Sequence, residues 1–269
     1  VTIYVKNGVY EEKVVVPDNK WDLTLVGESK EGTIITYADH AAMRDERGNK
    51  IGTFRTPTFT VLADHFRMEN ITLVNAAGYG EGIGQALALY SGGDQLVFKN
   101  CRFLGNQDTI YTSKGRQYFV DCYIEGHVDF IFGSATAVFQ NCEIHSLRRG
   151  YITAASTPKD VEFGYVFFDC KLTGVADEGS VYLGRPWRPY GSTIFVRTWM
   201  GPHIHPEGWN NWRNPDNERT ARYAEYGSTG PGAQPEARVP WSRQLTEEEV
   251  KELTLERIFR GSNNWVPEG

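Results

Sequence analysis

The sequence predicts an all-β protein wound as a parallel β-helix, a solenoid of short strands, with one short helix near the C-terminus. The first observation behind this is a repeat. "MENITL" from Met68, "FKNCRF" from Phe98, "FVDCYI" from Phe119, "FQNCEI" from Phe139 and "FFDCKL" from Phe167 share one form, with start-to-start spacings of 30, 21, 20 and 28. A unit of about 20 residues with occasional insertions has the length of one solenoid coil. Second, the segments are rich in Phe, Ile, Val and Cys, alternate locally and are punctuated by Gly and Asn, which suits strands and not helices. Third, the first apolar residue and the Cys of each unit are three apart, which breaks a period of two. A corner at the intervening Asn or Asp restores the phase, because these residues tolerate the left-handed backbone of a sharp bend.

The elements follow in order. The chain opens on the alternating pattern "VTIYVKNGVYEEKVVVP", with no Met, no charged-then-apolar leader and no cleavage site, and reads as a processed or truncated start. Residues 36 to 58, containing "DERGNK", read as an excursion between early coils. The repeats come next, stacking at about 4.8 Å from coil to coil. Cys101, Cys122, Cys142 and Cys170 occupy one phase. In-register neighbours aim their side chains alike, with Cβ atoms farther apart than the ~3.8 Å a disulfide prefers. The expectation is therefore a ladder of free, buried thiols acting as small core residues. After about residue 233 the repeat fades. "LTEEEVKELTLERIFRG" places Thr246 and Glu249 in capping-box spacing and runs to Gly261, which reads as one helix along the outside or end of the solenoid. The 269 residues thus form one domain, a β-helix over about 1–232 and a tail with its helix over 233–269.

Composition narrows the function. Forty percent hydrophobic and 13% aromatic residues supply a core, and no apolar run approaches the ~20 residues of a membrane span. A net charge of −6 without a basic block argues against nucleic acid as partner. Neutral or partly anionic substrates remain.

An aspartate inside the strand-like run "HVDFIFG" must be paired, neutralised or used. Asp129 lies ten residues after Phe119, and Asp108 of "GNQDTIY" lies ten after Phe98, so both hold the same place in consecutive coils. Either alone is most simply a turn cap. Two at matched phase, with Gln107 beside one, form a carboxylate pair in which repulsion raises one pKa. A neutral acid beside an ionised one is the equipment for a general acid with a nucleophile or base. Other motifs weigh less. "GYGEGIG" at 78–84 lacks dinucleotide-loop spacing and reads as a loop; "HIHPE" at 203–207 lacks a third ligand and reads as a surface loop, so no metal site is assigned; no G-x-S-x-G elbow exists, and Ser134 has no evident His partner.

With "GQALAL", "GNQDTIY", "HVDFIFG" and "LGRPWRPY" in this order, and "YAEYGSTGPGA" at 223–233, the chain from about Val1 to Gly232 closely resembles the pectin methylesterases, or pectinesterases. The resemblance implies a right-handed parallel β-helix that hydrolyses methyl esters of homogalacturonan to methanol and free carboxylates without a cofactor. Carried over by motif, Asp129 is similar to the family's nucleophile, and Asp108 to the acid that protonates departing methoxide and later activates water. Gln107 and Gln85 resemble the amide donors to the oxyanion. Arg185 resembles the arginine that holds the nucleophile ionised, which implies that it lowers the pKa of Asp129 and leaves Asp108 protonated. Trp187 and Trp212 match the aromatic floor for the sugar rings, with Tyr111 and Phe132 lining the same groove, whereas Trp209 is assigned to the core.

Relatives usually carry a helix and strand before the position where this chain begins; a missing first coil would expose an apolar end, so either those residues have been lost here or another element covers it. A pectate lyase or polygalacturonase on the same fold would cut the chain, the lyase with Ca²⁺, and a viscosity assay without metal separates them. A silent pectin-binding relative would lack the intact set of Asp108, Asp129, Gln107, Gln85 and Arg185. Homogalacturonan as partner, a monomeric state, no nucleic-acid or membrane partner, and a secreted or periplasmic location complete the expectation.

Overall fold

A computed structural model describes residues 1–268 and shows a right-handed parallel β-helix. One face is a ten-stranded parallel sheet running from Thr2–Val5 to Arg243–Gln244. The other two faces share the long strands Tyr123–Gly133 and Glu143–Ala155, each of which passes from one face to the next. The repeat is the register. Met68, Phe98, Phe119, Phe139 and Phe167 are successive cross-strand partners. Asn70, Asn100, Asp121, Asn141 and Asp169 all take left-handed backbone, with φ between 50° and 55°, at the corner that follows. The coil continues once more than the repeat suggests. Phe195 pairs with Phe167, Arg197 (φ 49°) turns the corner, and Thr198 stands in the cysteine's place, so "FVRTWM" is a sixth copy hidden by its Arg and Thr.

Packing follows from this stacking. Phe98, Phe119, Phe139, Phe167 and Phe195 form a ladder with ring centroids 4.6, 4.7, 4.5 and 4.4 Å apart. Offset stacking adds about 0.5–1.5 kcal/mol per pair beyond area burial. The four cysteines are buried and free. Each thiol donates to a carbonyl of the preceding coil, Cys101 to Met68, Cys122 to Phe98, Cys142 to Phe119 and Cys170 to Phe139, at 3.3–3.5 Å. Burial pushes the thiols of Cys101, Cys122 and Cys142 well up, away from the reactive thiolate. Titration with a thiol reagent is expected to count four thiols in denaturant without reductant and essentially none in the native protein; two found in a disulfide would overturn the ladder.

Three local expectations change. The predicted single C-terminal helix is two short ones, Glu247–Lys251 and Leu255–Ile258. The Thr246–Glu249 capping box is present, but Thr254 accepts from the Arg257 amide and caps a second helix, so the chain restarts instead of continuing. Strand Arg243–Gln244 also carries the sheet past residue 233, joined to Arg222–Tyr226. The "HIHPE" segment is not a surface loop throughout. His203 is 2% exposed and Ile204 bridges to Val181, so this stretch packs as part of a coil.

The tail is tied down by Arg238, whose guanidinium donates to Glu225 at 2.8 Å and to the Gly232 carbonyl at 2.9 Å, both charged side chains being 2% exposed. At the opposite end Ile3, Tyr4, Val9 and Trp21 are exposed on the first coil. Among the described residues no helix is long and apolar enough to cross a membrane.

Candidate active site

Asp129 owes its position to a fault in strand pairing. Val128 pairs with Tyr151 and Ile131 with Thr153, so three steps on one strand face two on the other. The extra residue is a β-bulge, which re-aims side chains where a regular ladder would bury or expose them by alternation. Asp129 takes φ 51° there, and Asp108, one coil earlier, takes φ 62°. The Asp108 amide donates to the Val128 carbonyl at 3.0 Å, and Ile110 pairs with Ile131, so the two acids are stacked neighbours. The aspartate in the apolar run is therefore turned out of the core by a bulge and left-handed backbone.

Arg185 follows the strand Val181–Gly184 on the next coil but one. Gly184 lets that strand approach closely, since a Cβ there would meet Thr153 Oγ1 at 2.1 Å. The Arg185 fork donates to both oxygens of Asp129, Nε to Oδ1 at 2.9 Å and Nη2 to Oδ2 at 2.7 Å. Its guanidinium lies between two rings, 3.8 Å from the centroid of Tyr151 and 3.6 Å from that of Trp212. Such bidentate, stacked geometry fixes the cation as lysine could not.

The acids differ in what surrounds them. Both are 7% exposed. Burial raises the Asp108 pKa well above the usual carboxylate range, the Asp129 charge raises it further, and Arg185 offsets only part. Among the described residues the Asp108 carboxyl has no hydrogen-bond partner. For Asp129 burial is also the largest influence, and it outweighs the hydrogen bonds and charge of Arg185, so the net direction is upward and not, as the resemblance implied, downward. The order of the two is unaffected: the acid gripped by a guanidinium ionises first, and the unpaired one keeps its proton.

Gln85, Gln107, Phe132, Trp187 and Trp212 line a cleft of about 250 Å³ with these three residues. Among the described residues neither Gln85 nor Gln107 uses its side-chain amide in an internal hydrogen bond, so both donors are free. Tyr111 stacks on Phe132 at 4.8 Å, and Trp187 stands edge-on to Phe132 at 5.6 Å. Trp209 is apart from them, 1% exposed and stacked on Tyr223 at 4.2 Å in the core. Sequence reasoning missed Phe54, a lining residue from the 36–58 excursion whose ring lies 4.9 Å from Tyr111, and Tyr151 beneath Arg185. An aromatic in a loop carries no periodic signal, and Tyr151 was legible only once the register was known. A larger hollow of about 610 Å³ lies beside Trp21 at the first coil, but its lining is mostly apolar, with Asn19 and Lys20 as its polar side chains and no carboxylate.

Because Trp212 already presents a face to Arg185, its loss should do more than remove the sugar platform that the resemblance implies. Trp212→Ala is expected to raise KM and also to lower kcat by on the order of 10–100-fold, since a loosened Arg185 misplaces Asp129. Trp212→Phe, which keeps a π face over the cation, should recover most of kcat. A rise in KM alone would leave Trp212 as a binding residue only.

Fold and site together define a carboxylic ester hydrolase on a parallel β-helix. The family described as Pectinesterase matches residues 1–262, and the chain belongs to it. "Pectinesterase 31" of Arabidopsis thaliana is 44% identical over 253 residues, 92% of this chain and 79% of that protein. Among solved structures, the pectin methylesterase from carrot superposes with a TM-score of 0.86 at 33% identity, covering 96% of this chain and 83% of that one. A pectin methylesterase in complex with a hexasaccharide gives 0.87 at 33% identity, covering 99% and 90%.

Proposed function

We propose that the protein hydrolyses methyl esters of homogalacturonan, with Asp129 as nucleophile and Asp108 as general acid and then base. The observation that carries this reading is the inequality of two stacked, buried carboxyls, one held bidentate by Arg185 and the other unpaired. The ionised Asp129 attacks the ester carbonyl carbon, and the tetrahedral oxyanion is met by the free amides of Gln85 and Gln107. Collapse breaks the bond to the methoxy oxygen, Asp108 gives up its proton, and methanol leaves an acyl anhydride on Asp129. The now ionised Asp108 takes a proton from water, the hydroxide adds to the same carbonyl carbon, and collapse breaks the bond to the Asp129 oxygen, restoring that carboxylate and freeing a galacturonic acid group that gives its proton to solvent.

Pectin as substrate is supported by family membership and by the hexasaccharide-bound relative. Trp187 and Phe132 on the cleft suit sugar rings, and a secreted or periplasmic location and a monomeric state go with a polymer acted on outside the cell. The test is methanol release from highly methylated homogalacturonan at unchanged viscosity. Falling viscosity would favour a chain-cutting enzyme, and absence of methanol would sink the reading.

A further inference from the structure

The buried amide of Asn75 has no part in the chemistry above, yet it joins the segments that frame Gln85. Gln85 lies in irregular chain ahead of the strand Leu89–Ser91, so no sheet ladder sets its position. Asn75 ends the strand Thr72–Asn75 and is 3% exposed. Its Oδ1 accepts from the Ala77 amide at 3.0 Å, which turns Nδ2 toward three carbonyls. Nδ2 donates to the carbonyl of Asp39 at 2.9 Å and to that of Leu87 at 3.0 Å, with the Thr56 carbonyl farther off at 3.4 Å. An amide nitrogen carries two hydrogens, so the two short bonds use its full capacity. Asp39 and Thr56 stand near the two ends of the 36–58 excursion. Ala77 opens the loop that leads into Gln85, and Leu87 lies two residues beyond it. One side chain thus grips the chain on both sides of a proposed oxyanion donor.

Neighbouring bonds complete the frame. The Leu87 amide donates to Thr56 Oγ1 at 3.0 Å, and the Thr58 amide donates to the Leu87 carbonyl at 3.1 Å. The Ala41 amide, from the excursion, donates to the Gln85 carbonyl at 2.8 Å, and the Ala86 amide donates to the Gln107 carbonyl at 3.2 Å. The backbones of the two glutamines are therefore joined, while their side-chain amides are left for the cleft. Leu87 itself is fully buried in one cluster with Phe132. An oxyanion donor works only at about 2.7–3.1 Å from the place where charge will appear. A small displacement of Gln85 therefore costs rate more than it costs substrate binding.

Resting on the role proposed above for Gln85, we infer that Asn75 is a positioning residue that sets the Gln85 amide at the oxyanion by tying Leu87 to the 36–58 excursion. The experiment is a double-mutant cycle on kcat for methanol release from methylated homogalacturonan. It compares the wild type, Asn75→Ala, Gln85→Ala and the double variant, all assayed below the lowest Tm of the set. Gln85→Ala should lose about 10²–10³-fold in kcat, as other oxyanion donors do. Asn75→Ala should lose about tenfold or more in kcat, the scale of a misplaced reacting group, with KM little changed. The double variant should be no slower than Gln85→Ala, because no donor is left to position. Tm should fall with Asn75→Ala in both backgrounds, since buried carbonyls lose a donor, so the cycle on kcat is the readout and stability is not.

Equal fold-losses from Asn75→Ala in the wild-type and Gln85→Ala backgrounds would overturn the inference, because a merely structural asparagine slows both alike. So would an unchanged kcat, or a rise in KM alone, which would move the effect to the Phe54 wall of the cleft. If Asn75→Ala does not fold, the same cycle with Thr56→Val decides, since that change keeps the shape and removes only the Oγ1 that receives the Leu87 amide. The parent reading fails separately. A wild type that releases no methanol removes the reaction, and full kcat in Gln85→Ala removes the donor and this inference with it.

Discussion

Purified Asp129→Ala is expected to fold and to release no measurable methanol from methylated homogalacturonan. Among the described residues it removes the one cleft carboxylate that a guanidinium grips, at 2.7 and 2.9 Å. Asp108 is poorly suited to take its place, because burial holds its carboxyl well above the usual carboxylate range and, among the described residues, no hydrogen-bond donor meets it. Folding should survive for an electrostatic reason. Removing one member of a fully buried ion pair costs about 3–5 kcal/mol. Here the Arg185 side chain is 18% exposed and remains packed between Tyr151 and Trp212, so the cation left behind keeps water and two ring faces. The loss of a desolvated carboxylate offsets part of the cost as well. Asp129→Asn, which preserves shape and can still meet Arg185 through its amide oxygen, should be equally inactive. The measurement is methanol release beside a thermal melt. Near wild-type turnover in folded Asp129→Ala would show that the stacked acids are not the machinery.

What the sequence disclosed about this site depended on whether a feature repeats. The acids were legible because both fall ten residues after a ladder phenylalanine, and the coil converts equal phase into spatial stacking. The corners were legible because Asn and Asp are chemically marked for left-handed backbone. Arg185 lies outside the repeat and was reached only through the likeness of "LGRPWRPY" to a known family. The bulge at Asp129 and the Tyr151 face beneath Arg185 could not be read at all. Both depend on how two strands about twenty residues apart are paired, and no single segment records it. The C-terminal helices show the converse limit. A good capping box at Thr246 marked where a helix begins, but a second cap at Thr254 was hidden inside a pattern that reads as continuous.

Asp108→Asn separates the two acids by a different readout. The amide keeps the shape and can donate a hydrogen bond, yet it can neither pass a proton to departing methoxide nor take one from water. General acid–base help is typically worth about 10²–10⁴-fold, so kcat should fall by that amount and leave slow residual turnover. The pH profile should change shape too. In the wild type, activity is lost at low pH as Asp129 protonates through its raised value and at high pH as Asp108 ionises through its own, higher one. In Asp108→Asn the high-pH limb assigned to Asp108 should disappear while the low-pH limb remains.

Stability carries the same information with the opposite sign. A carboxyl whose folded pKa is raised contributes stability that is fully present below the ordinary carboxylate value of ~3.9 and is lost as pH rises through the folded value. The wild type should therefore lose stability as pH climbs toward the Asp108 pKa, and Asp108→Asn, which has no charge to bury, should lose less. The variant's Tm is thus expected to gain on the wild type's at neutral pH and above while its kcat collapses. An active-site acid held neutral against water has that signature, and a carboxylate that merely caps a turn would show a lower Tm and an unchanged rate.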